Sequence, residues 1–291
     1  MKLARPNTFH PRIVLAGWTQ QVAGDGDDAG LIAALRHRGQ HAHWMSWDDP
    51  EISRADLVIL RATHDYADRL GEFLAWTIGV KNLLNPPGAV AWNADRRYLD
   101  ELAGQGVPTV PGEVFAPGDK VRLPRDGHAF VSATIGSGAQ RCTDRSAAAE
   151  RAAELHEAGR SVLVQPCGSD PETVLVFLCG EPSHAFTKHS EGDGTLHQAE
   201  PDFEIWDVGA AALTTAAGQV TIDASELLYA RAHVIGSPDD PRLLELQLVE
   251  PSLGWRALDA ETRDLAQREF ALGVESALER LGLGPFSHRS P

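Results

Sequence analysis

The sequence is short of sulfur and of positive charge. Among 291 residues there are three cysteines, Cys142, Cys167 and Cys179. The odd count and the lack of CxxC spacing exclude a zinc knuckle and a disulfide framework, and point to buried free thiols. Lys and Arg total 26 against 41 Asp and Glu, a formal net charge of -15. With no basic block, the chain lacks the clustered cations that a nucleic-acid partner requires. No apolar run approaches the roughly 20 residues of a bilayer span. The opening "MKLARPNTFHPRIVLAGW" has one short strand-like run and no signal-peptide core, so a cytoplasmic protein without a membrane partner is expected. There is no Walker A motif, no internal repeat, no low-complexity tract and no Ser/His/Asp or Cys/His arrangement for nucleophilic catalysis.

What is present is an ordinary globular composition, 43% hydrophobic and 23% charged, long enough for two or three small domains or one large one. "RIVLAGW", "AHWMSW" and "ADLVILRAT" read as strands. They alternate with the helical patterns "DDAGLIAALRHRGQ" and "DYADRLGEFLAWTIGV". This order predicts a parallel sheet with flanking helices. "NPPG" at 85–88 is a strong break, which sets an N-terminal α/β domain of residues 1–88 and a second region of 89–291. In that region a helix from Asp95 to about Ala103 precedes two strands, "HAFVSATIG" and "SVLVQP", separated by the helix "RSAAAERAAELHEAG". The pattern then turns antiparallel. "ETVLVFLCG-EPSHAFTK" reads as a hairpin with a tight Gly180–Glu181 turn, and "LLYARAHVI" pairs with "RLLELQLVE". The last helix, "DAETRDLAQREFALGVESALERLG", ends at Gly282.

The second pair carries the informative residues. Alternate side chains of a strand share a face. A hairpin centred near Pro238–Asp240 puts His233 opposite Glu245 and Arg231 opposite Gln247. Tyr229, Arg231, His233, Glu245 and Gln247 then share one face. Leu228, Ala230, Ala232, Val234, Leu246 and Leu248 form a core face on the other side. The polar face is either a solvated outer surface or a site where a cation and acids meet phosphate and a divalent metal.

The order of "LRATHDYADRLGEFLAW", "AWNADRRYLDELAGQGVPTVPG", "IGSGAQ", "VLVQP", "ETVLVFLCGEPSHAFTK", "LLYARAHVI" and "LLELQLVEPSL" resembles the ATP-grasp superfamily over nearly the whole chain. The resemblance implies an α/β fold: a Rossmann-like parallel α/β domain, a lid at about 113–165, and an antiparallel α+β part at 166–291. It implies an ATP- and Mg-dependent carboxylate–amine ligase, working through an acyl phosphate on small carboxylate and amine substrates in specialised metabolism, and a homodimer by family habit. Catalysis in that family is positioning and charge neutralisation. The nucleotide would meet Val164 and Gln165 at the hinge, the loop Gly136–Ser137–Gly138 over the phosphates, and Arg96, Glu172, Lys188 and Arg231. Arg231 would also be the catalytic cation. Glu245, Gln247 and Glu250 would hold the metal. Asp65, Tyr66 and His233 would border the substrate.

Three positions depart from the family pattern. Ser132–Ala133 stand where relatives carry Lys-Pro, His233 stands for an acid, and Gln247 stands for Glu. A second expectation follows: a degenerate member that binds without ATP/Mg ligation, or runs another reaction in the same cleft.

Overall fold

The structure, a computed structural model, describes residues 10–125, 127–168, 170–188 and 194–284. It divides into two compact units, one made of the chain up to Pro87 together with the chain from Leu258 on, the other spanning Gly88–Ala257.

The first unit holds β1 (Ile13–Gly17), α1 (Leu31–His37), β2 (Ala42–Ser46), β3 (Leu57–Ala62), α2 (Leu70–Gly79) and β4 (Leu83–Leu84). The strands form a parallel sheet in the order β2-β1-β3-β4. Every residue of β3, "LVILRA", is buried, as suits a parallel strand covered on both faces. Both helices are shorter than their sequence patterns. The residues 27–30 and 65–69 form turns instead, because Asp28 and Asp65 bond to arginines.

The second unit begins with α3 (Pro87–Asn93) and α4 (Tyr98–Gly104). The "NPPG" break opens a helix: a proline whose φ is already helical, and whose missing N–H has no partner to lose, suits the first turn. Next come β5 (Glu113–Phe115), β6 (Ala129–Ala133), β7 (Gln140–Cys142), α5 (Arg145–Glu157) and β8 (Val162–Pro166). These strands make an antiparallel sheet, β5-β8-β6-β7. Ala148, Ala152 and Leu155 of α5 pack on its Phe115, Ala129, Val131 and Val162.

The remaining elements are β9 (Glu172–Leu178), β10 (Glu181–Lys188), β11 (His197–Ala199), α6 (Phe203–Gln219), β12 (Tyr229–Ile235) and β13 (Arg242–Gln247). They form an antiparallel sheet, β11-β10-β9-β12-β13. The β9–β10 turn falls on Cys179–Gly180, not Gly180–Glu181. Both residues have positive φ, 51° and 84°, as a two-residue type I′ turn demands. Helix α6, absent from the sequence reading, covers one face of this sheet. Its Ile205, Val208, Ala212 and Leu213 meet Leu175, Phe177, Ala230, Ala232 and Leu246.

The final helix, α7 (Ala260–Arg280), packs in the first unit instead of extending the second region. Arg38 pairs with Glu275, and the Gln40 side chain donates to the Ala271 carbonyl at 3.0 Å. No helix among the described residues is long and apolar enough to cross a membrane.

Candidate active site

The face of the five-stranded sheet that α6 does not cover carries the polar side chains. The register is the one expected from sequence: Arg231 lies opposite Gln247 and His233 opposite Glu245. Glu172 of β9 and Lys188 of β10 join them on neighbouring strands. This is not a solvated surface. Glu172 and Glu245 are each 2% exposed, His233 6% and Gln247 8%. Buried acids and imidazoles require compensation, and each has it.

Position begins with the edge of β13. Beyond it there is no further strand among the described residues, and side chains and loop backbone take the strand's place. Leu243 exchanges 2.8 Å backbone bonds with Pro108 and Val110. The Tyr98 hydroxyl donates to the Leu246 carbonyl at 2.7 Å and accepts from the Leu246 N–H at 2.8 Å. Asn93 donates to the Leu246 carbonyl and accepts from the Leu248 N–H. Burial pushes the Tyr98 hydroxyl well above the ordinary phenol range, and the Glu245 charge adds to this, so Tyr98 stays a neutral donor. β13 is therefore fixed in register from both sides.

Glu245 sits on this fixed strand. Its Oε1 accepts from Arg96 Nη2 at 2.6 Å and from the Gly138 N–H at 3.0 Å. Burial alone would raise its carboxyl. Arg96, His233, Gln247 and Gly138 outweigh that and hold it far below the usual carboxylate range. Arg96 and the glycine loop are joined again through the backbone. The Arg96 N–H donates to the Thr134 carbonyl at 2.8 Å, the Gly136 N–H donates to the Ala94 carbonyl at 3.2 Å, and Asp95 bridges to Ile135. Gly136 and Gly138 have φ of 97° and 91°, a conformation strained for any side chain.

The second acid, Glu172, accepts from His233 Nδ1 through one oxygen and lies 3.5 Å from Lys188 Nζ through the other. Burial opposes its charge. The His233 hydrogen bond, with His233, Lys188 and Arg231 nearby, brings its pKa down to about 2. An ionised carboxylate only accepts, so His233 Nδ1 carries the proton and Nε2 is left without a hydrogen-bond partner. Arg231 Nη1 donates to the Ser252 carbonyl at 3.0 Å, and His184 Nε2 lies 2.7 Å from the Leu253 carbonyl. These two contacts fasten the segment after β13 over the face.

Several assignments change. Arg96 and Glu245, expected as separate phosphate and metal residues, are bonded to each other. Glu172, expected at the nucleotide, holds His233, which was expected at the substrate. Val164 is paired on both sides, with Glu113 and with Val131, so its backbone presents no open edge to an adenine. The Gln165 side chain donates to the Val110 and Leu244 carbonyls at 3.2 and 3.3 Å. In the first unit, Asp65 accepts from Trp47 Nε1 at 2.7 Å and from Arg69 at 3.0 Å. Tyr66 is buried against Phe73. Both are framework residues there. Ser132, where a cation was missed, is buried with no partner for its hydroxyl.

A magnesium ion fits this donor set poorly. Mg²⁺ is a hard cation that seeks carboxylate oxygens in near-ideal geometry. Glu245 is neutralised by Arg96, Gln247 brings no charge and Glu172 is engaged by His233. Of the residues expected to hold metal, Glu245 and Glu250 bring carboxylates, and Glu245 gives its Oε1 to Arg96. Among the described residues, no three of His, Cys, Asp and Glu converge as metal ligands.

Comparison with known proteins places this arrangement. Residues 13–85 match a family model described as the N-terminal domain of D-cycloserine synthetase DcsG. Over 263 residues, 79% of this chain and 88% of the relative, the sequence is 33% identical to the cycloserine biosynthesis protein DcsG of Streptomyces lavendulae. The chain belongs to the DcsG family. The crystal structure of D-cycloserine synthetase DcsG matches with a TM-score of 0.74 and 28% identity, covering 92% of this chain and 99% of that one. D-alanine–D-alanine ligase from Bacillus anthracis, complexed with ATP, matches with a TM-score of 0.69 at 12% identity, covering 94% and 98%. The ATP-grasp ligase PsnB matches at 0.57 and 15%, covering 91% and 99%. These two show the fold alone. The DcsG-family chain thus has the ATP-grasp fold, as its motif order implied.

Proposed function

We propose that this DcsG-family chain is an ATP-dependent ligase. It joins the carboxylate of a small amino-acid-like molecule to a nitrogen nucleophile in specialised metabolism. The observation that carries this reading is the 33% identity to DcsG over most of both chains. In the reaction, a carboxylate oxygen attacks the γ-phosphorus of ATP and ADP leaves. The nitrogen then attacks the acyl carbon, phosphate leaves, and the nitrogen gives up a proton.

The chain's own residues suit the charge side of this chemistry. Phosphoryl transfer asks the protein for positioning and neutralisation instead of a nucleophile. Arg231 and Lys188 lie on one sheet face as cations for phosphate, and the glycine loop, whose Gly136 and Gly138 N–H groups bond to Ala94 and Glu245, is a turn of the kind whose remaining N–H groups serve backbone phosphate cradles. No step is routed through magnesium, because the donor set does not fit it. That poor fit favours the second reading, a family member that binds in the same cleft without ligation.

Phosphate release from ATP, with small amino acids and amines as substrates, separates the two. The ligase reading expects release that requires both substrates and falls at least about 100-fold in Arg231→Ala, the scale of a lost charge-stabilising donor. No change in melting temperature at millimolar ATP would overturn it. Bound nucleotide at about 100 times its Kd adds roughly 2.7 kcal/mol.

A further inference from the structure

We propose that Glu245 and Arg96 are a positioning pair that holds the glycine loop in shape for nucleotide phosphates. The inference rests on the ligase reading for its nucleotide and on geometry for everything else.

Three strands of evidence converge on the loop. One carboxylate oxygen, Glu245 Oε1, takes both the Arg96 guanidinium and the Gly138 N–H. The Arg96 backbone grips the root of the loop at Thr134, and Ala94 grips Gly136. The carboxylate itself is immobile, because β13 is bonded on its outer edge at Leu243, Leu246 and Leu248. Nothing lies within 4 Å of a Cβ built on Gly138, so no side chain packs against that residue's Cα on this side. The Gly138 N–H is tied to β13 by its hydrogen bond to Glu245.

The pair explains why an acid and a cation are both spent in a buried place. An unpaired carboxylate there would repel phosphate. Neutralised by Arg96, it acts as a rigid acceptor that turns the Gly138 peptide and fixes the directions of the neighbouring N–H groups. Both donors share Oε1, and Glu245 Oε2 is left without a hydrogen-bond partner. The consequence is a separation of roles: Glu245 governs how well the loop receives phosphate, with or without a divalent ion.

The test uses the full-length protein with Glu245→Gln, Arg96→Met, Arg96→Lys and the Glu245→Gln/Arg96→Met double variant. ATP binding is measured by calorimetry in EDTA and again across a Mg²⁺ titration. Amide exchange is followed in residues 134–139. Glu245→Gln is expected to weaken metal-free ATP binding about tenfold and to speed loop exchange by about the same factor. The Mg²⁺ midpoint should stay within about twofold of wild type. The double variant should be no worse than either single one, since the residues act as a unit. Arg96→Lys keeps the buried charge and is expected to recover part of the loss, which covers the case in which Arg96→Met does not fold. Unchanged metal-free binding and exchange, with a raised Mg²⁺ requirement, would overturn the proposal in favour of a metal ligand. A wild type that binds no ATP would defeat the ligase reading, while the exchange measurement would still decide whether Glu245 holds the loop.

Discussion

Glu172 keeps its charge in surroundings that by burial alone would remove it. The partners that hold it ionised, His233 first, set a pH dependence whose sign follows from linkage. Its folded pKa is about 2 against an ordinary 4.5. The group therefore contributes fully above about pH 4.5, and its contribution is lost as pH falls toward 2. A shift of this size is on the order of 3 kcal/mol. Chemical denaturation of wild type and Glu172→Gln at pH 7, 4 and 2.5 checks it: the stability difference should shrink across that window. Parallel loss in both proteins would show that other carboxylates govern acid unfolding. The buried pair in the first unit gives a sharper expectation. Asp28 holds Arg61 through two bonds of 3.0 and 3.1 Å, with both residues nearly inaccessible. Asp28→Asn should cost about 3–5 kcal/mol, because a buried ion pair loses its carboxylate charge. A loss under 1 kcal/mol, as for an exposed pair, would show that water reaches Arg61.

Among the elements, α6 depends on a missing side chain. A Cβ at Gly209 would stand 2.7 Å from Leu175 Cδ1 and 2.9 Å from a Phe177 ring carbon. Gly209→Ala gains about 1 kcal/mol of helix propensity and loses about 1–3 kcal/mol to overpacking. The net expectation is a lower melting temperature, whereas the same change at Gly218, with open space around it, should raise it. The small residues that let α6 approach the sheet are also why it was not read from sequence. "GAAALTTAAG" has little hydrophobic contrast between its faces. The paired strands were legible because Tyr229–Ile235 and Arg242–Gln247 alternate cleanly and a one-residue slip would have buried the wrong face. At the site, sequence order picked out the charged residues but not their partners. Glu245 and Arg96 are 149 positions apart, and no local spacing announces which acid meets which base. The acid was visible in the sequence; the guanidinium bonded to it was not.

At the scale of the molecule, the first unit is discontinuous. Its parallel sheet is built by residues before Pro87, while α7, after Leu258, contributes Phe270, Ala271 and Val274 as buried side chains. Phe270→Ala should cost about 3–5 kcal/mol, seen as lost hydrogen-exchange protection in residues 13–84. The second unit is continuous from Gly88 to Ala257. Domains commonly assemble in the order in which the ribosome releases them. Here that order is inverted: the first unit, which includes the strands "IVLAG" and "LVILRA", is complete only after the 170 residues of Gly88–Ala257 have emerged and α7 has followed them. The topology thus separates the two parts of the first unit in time, and a chain cut short before α7 leaves the residues up to Pro87 without the helix that completes their unit.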